Sequence, residues 1–206
     1  DKDSIKESWA SRFYDRTFAV SRNLNAVTRC RMLMAFAFDY DYQQYPLDFG
    51  LSVVDELSDK QPYAVFLPNT SRETKLWSEA KWVRLAQQTQ RLGFDVHLLW
   101  GTPTEEERVK RIASQAGSFC RVMPRMSIKD CALEMQRSAF VVGVDTGLTH
   151  LAAATAKPTV GLFLDYPIEL VGLTGVQVQS LGGVGADPSV DEVQSALKQL
   201  GIKSQA

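Results

Sequence analysis

Residues 141–163 read VVGVDTGLTHLAAATAKPTVGLF, an apolar strand that breaks at Asp145-Thr146-Gly147 into a helix of small residues and returns through Pro158 to a second apolar strand. Val141, Val142 and Val144 suit a strand buried on both faces, while Leu148, Leu151, Ala154 and the alanine run suit a helix pressed against a sheet. The polar residues fall where that helix begins. A helix start presents unpaired backbone N–H groups and the positive end of the helix dipole, so the corner suits an anion such as a phosphate. A purely structural account would make Asp145 or Thr146 a helix cap and Gly147 a tight turn. His150, one turn into the helix and on the same end as Asp145 and Thr146, is not required by capping.

Outward from this corner the pattern repeats. Residues 63–67 (YAVFL), 95–100 (DVHLLW), 119–123, 140–144, 159–164 and 176–178 read as short strands, and 79–92, 104–116, 127–137, 148–156 and 190–200 as helices. Alternating strands and helices imply right-handed crossovers and an α/β fold, a Rossmann-like parallel sheet with helices on both faces. Ligands in such sheets bind beyond the carboxyl ends of the strands, so the loops that start at Pro68, Gly101, Pro124 and Asp145 should converge.

Composition narrows the function classes. With 206 residues, 45% hydrophobic and 23% charged, and a net charge of −1, the chain has the make-up of an ordinary globular protein and no global bias toward nucleic acid. Cys30, Cys120 and Cys131 are odd in number and lack metal-ligand spacing, which fits a reducing compartment. No run approaches the roughly 20 apolar residues of a membrane helix, and no signal peptide opens the chain, so a cytoplasmic or at most peripheral protein is expected. The first residue is Asp1 rather than Met, which reads as a fragment or a processed chain.

The converging loops carry the chemistry. Residues 68–77, PNTSRETKLW, are rich in hydroxyls and bases: Thr70, Ser71 and Lys75 suit a diphosphate, and the alternative is a solvated loop with Ser71 or Ser78 as a helix cap. In 101–108, GTPTEEER, Thr104 reads as an N-cap with Glu107 at the capping-box position, which leaves Glu105 as a carboxylate for ribose hydroxyls. Ser127 of Pro124-Arg125-Met126-Ser127 reads as a cap, and the backbone near Met126 could meet an adenine edge. Gly182, Gly183 and Gly185 lie too late in the fold to be a dinucleotide fingerprint and read as a flexible loop before the last helix.

Together these residues resemble a known family. The D-T-G-L-T-H-L-A-A-A run at 145–154, followed by Pro158 and an apolar strand, is similar to the donor-site motif of the lipopolysaccharide heptosyltransferases, glycosyltransferase family nine. Thr70–Trp77 (TSRETKLW), Trp100–Arg108 (WGTPTEEER) and Pro124–Ser127 (PRMS) resemble, in the same order, the loops of the members that add the first heptose to Kdo on lipid A. The resemblance covers most of residues 63–163. It implies that Thr70, Ser71 and Lys75 hold the diphosphate of ADP-heptose together with the backbone of Thr146, Gly147 and Leu148. It further implies that Glu105 takes the ribose, Met126 flanks the adenine, Asp145 addresses the heptose hydroxyls, and His150 supports the loop or the phosphates. One departure stands after residue 163: the family continues with G-x-T-D-P, whereas this chain has Leu164-Asp165-Tyr166-Pro167.

Residues 1–60 differ from the rest, and two regions are expected: 1–60, a helical remnant of an amino-terminal acceptor domain plus linker, and 61–206, the donor-binding domain. Residues 4–38 read as helical and locally basic, with Trp9, Phe13, Tyr14, Phe18, Val20 and Leu24 as an apolar face. The bland reading is an amphipathic pair with a solvated basic side. The resemblance instead places Lys6 and Arg29 at positions implicated in holding the anionic Kdo-lipid A acceptor, at the cytoplasmic face of the inner membrane.

The same resemblance implies an inverting GT-B transferase in which an acceptor hydroxyl attacks the anomeric carbon as ADP leaves. Lys75 and the helix start would stabilise the departing diphosphate, with no cofactor or metal called for. The family's general base is an Asp in an early loop of an amino-terminal domain of roughly one hundred residues or more, and no residue of this chain takes that part. The chain alone is therefore expected to bind ADP or ADP-heptose and to transfer little sugar. A nucleotide-sugar binding module without transferase activity, or a related two-domain enzyme such as a nucleotide-sugar epimerase, are the alternatives.

Overall fold

A computed structural model of the chain describes residues 8–51 and 62–205. Six parallel strands, β1 (Tyr63–Leu67), β2 (Asp95–Leu98), β3 (Cys120–Val122), β4 (Phe140–Val144), β5 (Thr159–Phe163) and β6 (Val178–Gly182), form one sheet in the order β3-β2-β1-β4-β5-β6. In chain order the helices are α1 (Ala26–Phe38), α2 (Glu79–Arg91), α3 (Pro103–Ala116), α4 (Ile128–Arg137), α5 (Gly147–Ala154), the single turn α6 (Ile168–Val171) and α7 (Val190–Gln199). The expected Rossmann-like sheet is therefore present.

Period-2 alternation distributes the strand residues between two cores. Ala64, Phe66, Val96, Leu98, Phe140, Val142, Val144, Val160 and Leu162 face α2, α3 and α7, where Trp82, Leu85, Val109, Ile112, Val193 and Leu197 meet them. Val65, Leu67, Val141 and Leu99 face α4 and α5 through Cys131, Met135 and Ala152. Both faces of the sheet are thereby removed from water, and β4 and β5 are buried along their whole length. On the second face α4 is also tied by polar contacts. Glu134 Oε1 lies 2.6 Å from His97 Nδ1, and the Tyr63 hydroxyl donates to the Glu134 carbonyl at 3.1 Å. The bond to His97 holds the Glu134 carboxyl below the usual range, and burial, reinforced by Glu134, pushes the Tyr63 phenol up.

Helix starts follow the sequence cues, with one correction. Ser78, Ser127 and Ser189 accept from the N–H of Lys81, Asp130 and Glu192, so each serves as a cap. The capping box of α3, however, is Thr102 with Glu105, not Thr104 with Glu107. Pro103 decides this: with no N–H to satisfy and φ preset, it belongs at the first helical position, and the cap must precede it. Glu107 instead pairs with Lys110. The last strand lies at 178–182 rather than 176–178, because register with β5 sets its start and its edge position tolerates Gln179 and Ser180. Gly182, Gly183 and Gly185 take positive φ. The loop they form is pinned to the end of β5 by Gly183 N–H to Phe163 and Gly185 N–H to Leu164, at 2.7 and 3.0 Å.

The described residues up to Leu47, with Glu169–Gly172, form one compact unit, and those from Asp48 to Ile168 with Leu173 onward form another. In the first unit the long helical segment expected over 4–38 is not found among the described residues. Ser8–Phe13 is a 3-10 helix, 14–25 is irregular, and α1 starts only at Ala26 because the Asn25 side chain accepts from Val27 N–H. The expected apolar face does not form there either: Trp9, Phe13 and Tyr14 are exposed, and of the six residues only Val20 is buried. Two of the bases turn back on their own unit. Arg31 donates to the Tyr42 and Tyr45 carbonyls, and Arg16 lies over the Phe18 ring. Among the described residues no helix is long and apolar enough to cross a membrane.

One small residue allows α5 to sit against the sheet. A Cβ on Gly143 would run into the Thr149 hydroxyl and come within 3.0 Å of the Leu67 Cβ. Overpacking of this kind is worth about 1–3 kcal/mol, so Gly143→Ala should lower stability by that amount in denaturant unfolding, without changing the far-UV spectrum of the native state.

Candidate functional site

β1 and β4 are neighbours, with Leu67 beside Gly143. The helices that follow them, α2 and α5, pack on opposite faces of the sheet. The chain thus departs from these two strands in opposite directions, and a crevice opens at their carboxyl ends, the general ligand position in open parallel sheets.

Two loops fill its rim with polar groups. A 3-10 turn, Glu73–Lys75, ends on Lys75, and the buried β4 ends just before Asp145, whose N–H is held by the Leu162 carbonyl at 3.0 Å. Lys75 Nζ lies 2.5 Å from Asp145 Oδ2. Thr70 donates its hydroxyl to the Asp145 carbonyl at 3.2 Å, and His150 Nε2 stands 3.7 Å from Asp145 Oδ1. His150 and then Lys75 hold the Asp145 carboxyl below the ordinary range, against the opposing effect of burial. Thr70, Lys75, Asp145 and His150 are thus brought together, as the sequence implied.

The start of α5 completes the corner. Thr146 occupies the N-cap position with extended backbone, but its side chain makes no capping bond. The Thr149 hydroxyl points back to the Val144 carbonyl at 2.7 Å, and the Asp145 carboxylate is engaged by Lys75 and His150. Capping by Asp145 or Thr146 is therefore not the purpose of these residues. Gly147 is absent from the positive-φ glycines, and a Cβ there would meet nothing within 4 Å. The tight-turn account of Gly147 fails with it. What the position offers is open space over the first-turn amides of Gly147 and Leu148, where an anion can approach the backbone closely.

The other expected residues lie around this corner in different states. Ser71 is exposed on the first loop. Glu105 is already employed: its Oε2 accepts from the N–H of Gly101 and Thr102 at 2.8 and 3.0 Å, which holds the carboxylate at the carboxyl end of β2. Met126 and Leu148 pack on the same core of Val65, Leu67 and Leu99, so the third loop and the start of α5 share one floor. Trp100 Nε1 donates to the Met123 carbonyl at 2.6 Å, and Arg125 to the Gly101 carbonyl at 3.2 Å, binding the ends of β2 and β3. Arg29 is half-buried on α1 in the first unit, and Lys6 lies outside the described residues. Among the described residues no three His, Cys, Asp or Glu side chains gather to hold a metal.

Sequence reasoning assigned no role to Asn69, Thr74, Asp165 or Tyr166. Asn69 is buried beside the end of β2, with Nδ2 3.5 Å from the Leu99 carbonyl and Oδ1 without a partner, an acceptor available to a ligand group or a water. Thr74 donates to Asp165 Oδ2 at 2.9 Å, and the Tyr166 ring lies beneath Lys75. No spacing signal reveals such a pairing, because its partners are some ninety residues apart in the chain.

Residues 2–199 match the family described as Glycosyltransferase family 9 (heptosyltransferase). Lipopolysaccharide heptosyltransferase 1 of Pseudomonas aeruginosa is 40% identical over 190 residues, 91% of this chain and 52% of the relative. The protein of the same name from Salmonella typhimurium is 37% identical over 79% of this chain and 52% of the relative. Among solved structures, E. coli heptosyltransferase WaaC with ADP superposes with a TM-score of 0.84 at 31% identity, covering 97% of this chain and 64% of that one. The chain thus spans about half the length of the curated relatives it matches.

The depressed Asp145 carboxyl has a consequence for acid stability. A group whose folded pKa lies below its unfolded value, about 3.9 for Asp, adds stability above that value and loses it as pH falls through the folded one. Asp145→Asn should therefore flatten the decline of melting temperature below about pH 4 relative to the unsubstituted chain. Thermal melts between pH 2.5 and 6 check this; parallel declines would show that the pair contributes nothing to folding.

Proposed function

The chain belongs to glycosyltransferase family 9, the heptosyltransferases, and from that premise we propose that it supplies the donor half of an ADP-heptose:lipopolysaccharide heptosyltransferase. The observation that carries this reading is the Lys75–Asp145 pair, set beside an uncapped helix start in the crevice between β1 and β4. A diphosphate entering there meets one ammonium, the Thr70 and Ser71 hydroxyls and the amides of Thr146, Gly147 and Leu148. Charge-assisted bonds of this kind are worth about 1.5–3 kcal/mol each. Glu105, held at the end of β2, takes the ribose hydroxyls, and the floor at Met126 takes the adenine. The solved relatives bound to ADP and to ADP-2-deoxy-2-fluoro heptose support an adenine nucleotide donor.

Transfer then follows from where charge develops. As the acceptor hydroxyl attacks the anomeric carbon, the bond to the departing phosphate breaks and negative charge builds on the diphosphate. Lys75 and the start of α5 stabilise that charge, while Asp145 addresses the heptose hydroxyls and His150 braces Asp145. Deprotonation of the acceptor falls to a general base outside these residues, in the half of the family fold that the chain does not match. Kdo on lipid A is the acceptor, with Lys6 and Arg29 among the bases that meet its anionic groups. The site of action is the cytoplasmic face of the inner membrane, reached by peripheral contact and with no part for nucleic acid.

Isothermal titration combined with a transfer assay tests this. ADP and ADP-heptose should bind, and UDP and GDP should bind at least about tenfold more weakly. Lys75→Met should weaken ADP by about ten- to a hundredfold, the loss of one charge-assisted bond. Asp145→Asn, which removes the competitor for Lys75, should leave ADP affinity unchanged or tighter. No ADP binding by the unsubstituted chain overturns the donor assignment. Robust heptose transfer by the chain alone overturns the placement of the base outside it.

A further inference from the structure

The loop after β5 departs from the family pattern, and it meets the Lys75 loop at three points. Asp165 Oδ2 accepts from the Thr74 hydroxyl at 2.9 Å. The Tyr166 ring centroid is 5.2 Å from Lys75 Nζ and 6.0 Å from the Arg72 guanidinium. One aromatic ring therefore gathers the two cations of the loop, and the neighbouring carboxylate fixes the residue between them. We infer that Tyr166, with Asp165, is a positioning residue for Lys75 that keeps its ammonium directed at the donor diphosphate; the inference rests on the donor-site reading above.

The physical argument turns on how an ammonium can be held without being neutralised. Among the described residues the Lys75 ammonium meets the Asp145 carboxylate and the Tyr166 ring. A carboxylate holds a lysine strongly and also cancels its charge, so an arriving phosphate must compete for it. The quadrupole of an aromatic face attracts a cation while contributing no net charge. Lys75 that swings from Asp145 toward a phosphate keeps its hold on the ring, and the side-chain entropy that a free lysine would lose on binding is already removed. Arg72 on the same ring adds a second positive charge to the rim, and the ring offsets the repulsion between the two. The Thr74–Asp165 bond anchors the turn that carries Lys75, so the alignment does not depend on the ring alone.

Tyr166 is 40% exposed, so its replacement should leave the melting temperature of the chain unchanged and confine the effect to ligand binding. The experiment is calorimetric titration of ADP and of adenosine into the full chain and into Tyr166→Phe, Tyr166→Leu, Tyr166→Gln, Lys75→Met and the double variant Tyr166→Leu with Lys75→Met. Tyr166→Leu and Tyr166→Gln should weaken ADP about three- to tenfold, the range expected of one partly desolvated cation–π contact. Tyr166→Phe should retain wild-type affinity, and adenosine should bind equally to all. In the Lys75→Met background the Tyr166→Leu effect should disappear. The inference is overturned if Tyr166→Leu leaves ADP binding intact while Lys75→Met weakens it, if Phe and Leu act alike, or if the effect survives without Lys75. Absence of ADP binding by the unsubstituted chain overturns the donor reading itself, and the inference with it.

Discussion

A lysine from the loop after β1 and an aspartate from the loop after β4 meet at 2.5 Å, and the polar corner at this edge of the sheet is organised around that meeting. The pair exists because β1 and β4 are adjacent in the sheet while α2 and α5 pack on opposite faces. Were the two strands separated by a third, neither loop would reach the other. A partly buried ion pair contributes modestly to folding, since desolvation offsets much of the attraction. It also holds a positive charge beside a helix start whose N-cap side chain makes no capping bond, a setting that in general suits an anion.

Close packing around the corner serves the same end. Gly143 leaves room for the Thr149 hydroxyl, which bonds to the Val144 carbonyl and seats α5 on the end of β4. With Thr149 turned inward and Thr146 making no capping bond, the first turn of α5 has no side-chain cap from either threonine. The open space over Gly147 belongs to the same arrangement. At α3 the opposite occurs: Thr102 and Glu105 satisfy the helix start internally, and the carboxylate that caps also stands at the end of β2. Two helix starts in one sheet edge are thus treated differently, one left open and one closed.

The first unit carries a different message. Leu33, Met34, Phe36 and Phe38 of α1 are exposed together with Trp9, Phe13 and Tyr14. The relatives that the chain matches are about twice as long as the stretch they share with it.

How much was legible in the sequence differs by kind of feature. Strand and helix periods, the serine caps at 78 and 127, and the convergence of loops after β1 and β4 depend on neighbours within a few residues or on the handedness of crossovers, so residue order alone determined them. Even the capping box of α3 was written there, in the Pro103 that moves the cap to Thr102. The extent of β6 was not legible, because a partly exposed edge strand takes its register from β5 rather than from its own apolar content. The break in the amino-terminal segment at Asn25 followed from a side chain competing for a backbone amide, a contest that helical periodicity does not register. The hold of Asp165 and Tyr166 on the Lys75 loop is a contact between residues some ninety positions apart. Local sequence determined which groups could bind a phosphate. Only the tertiary structure decided which of them face one another, because charge and π contacts act through space and not along the chain.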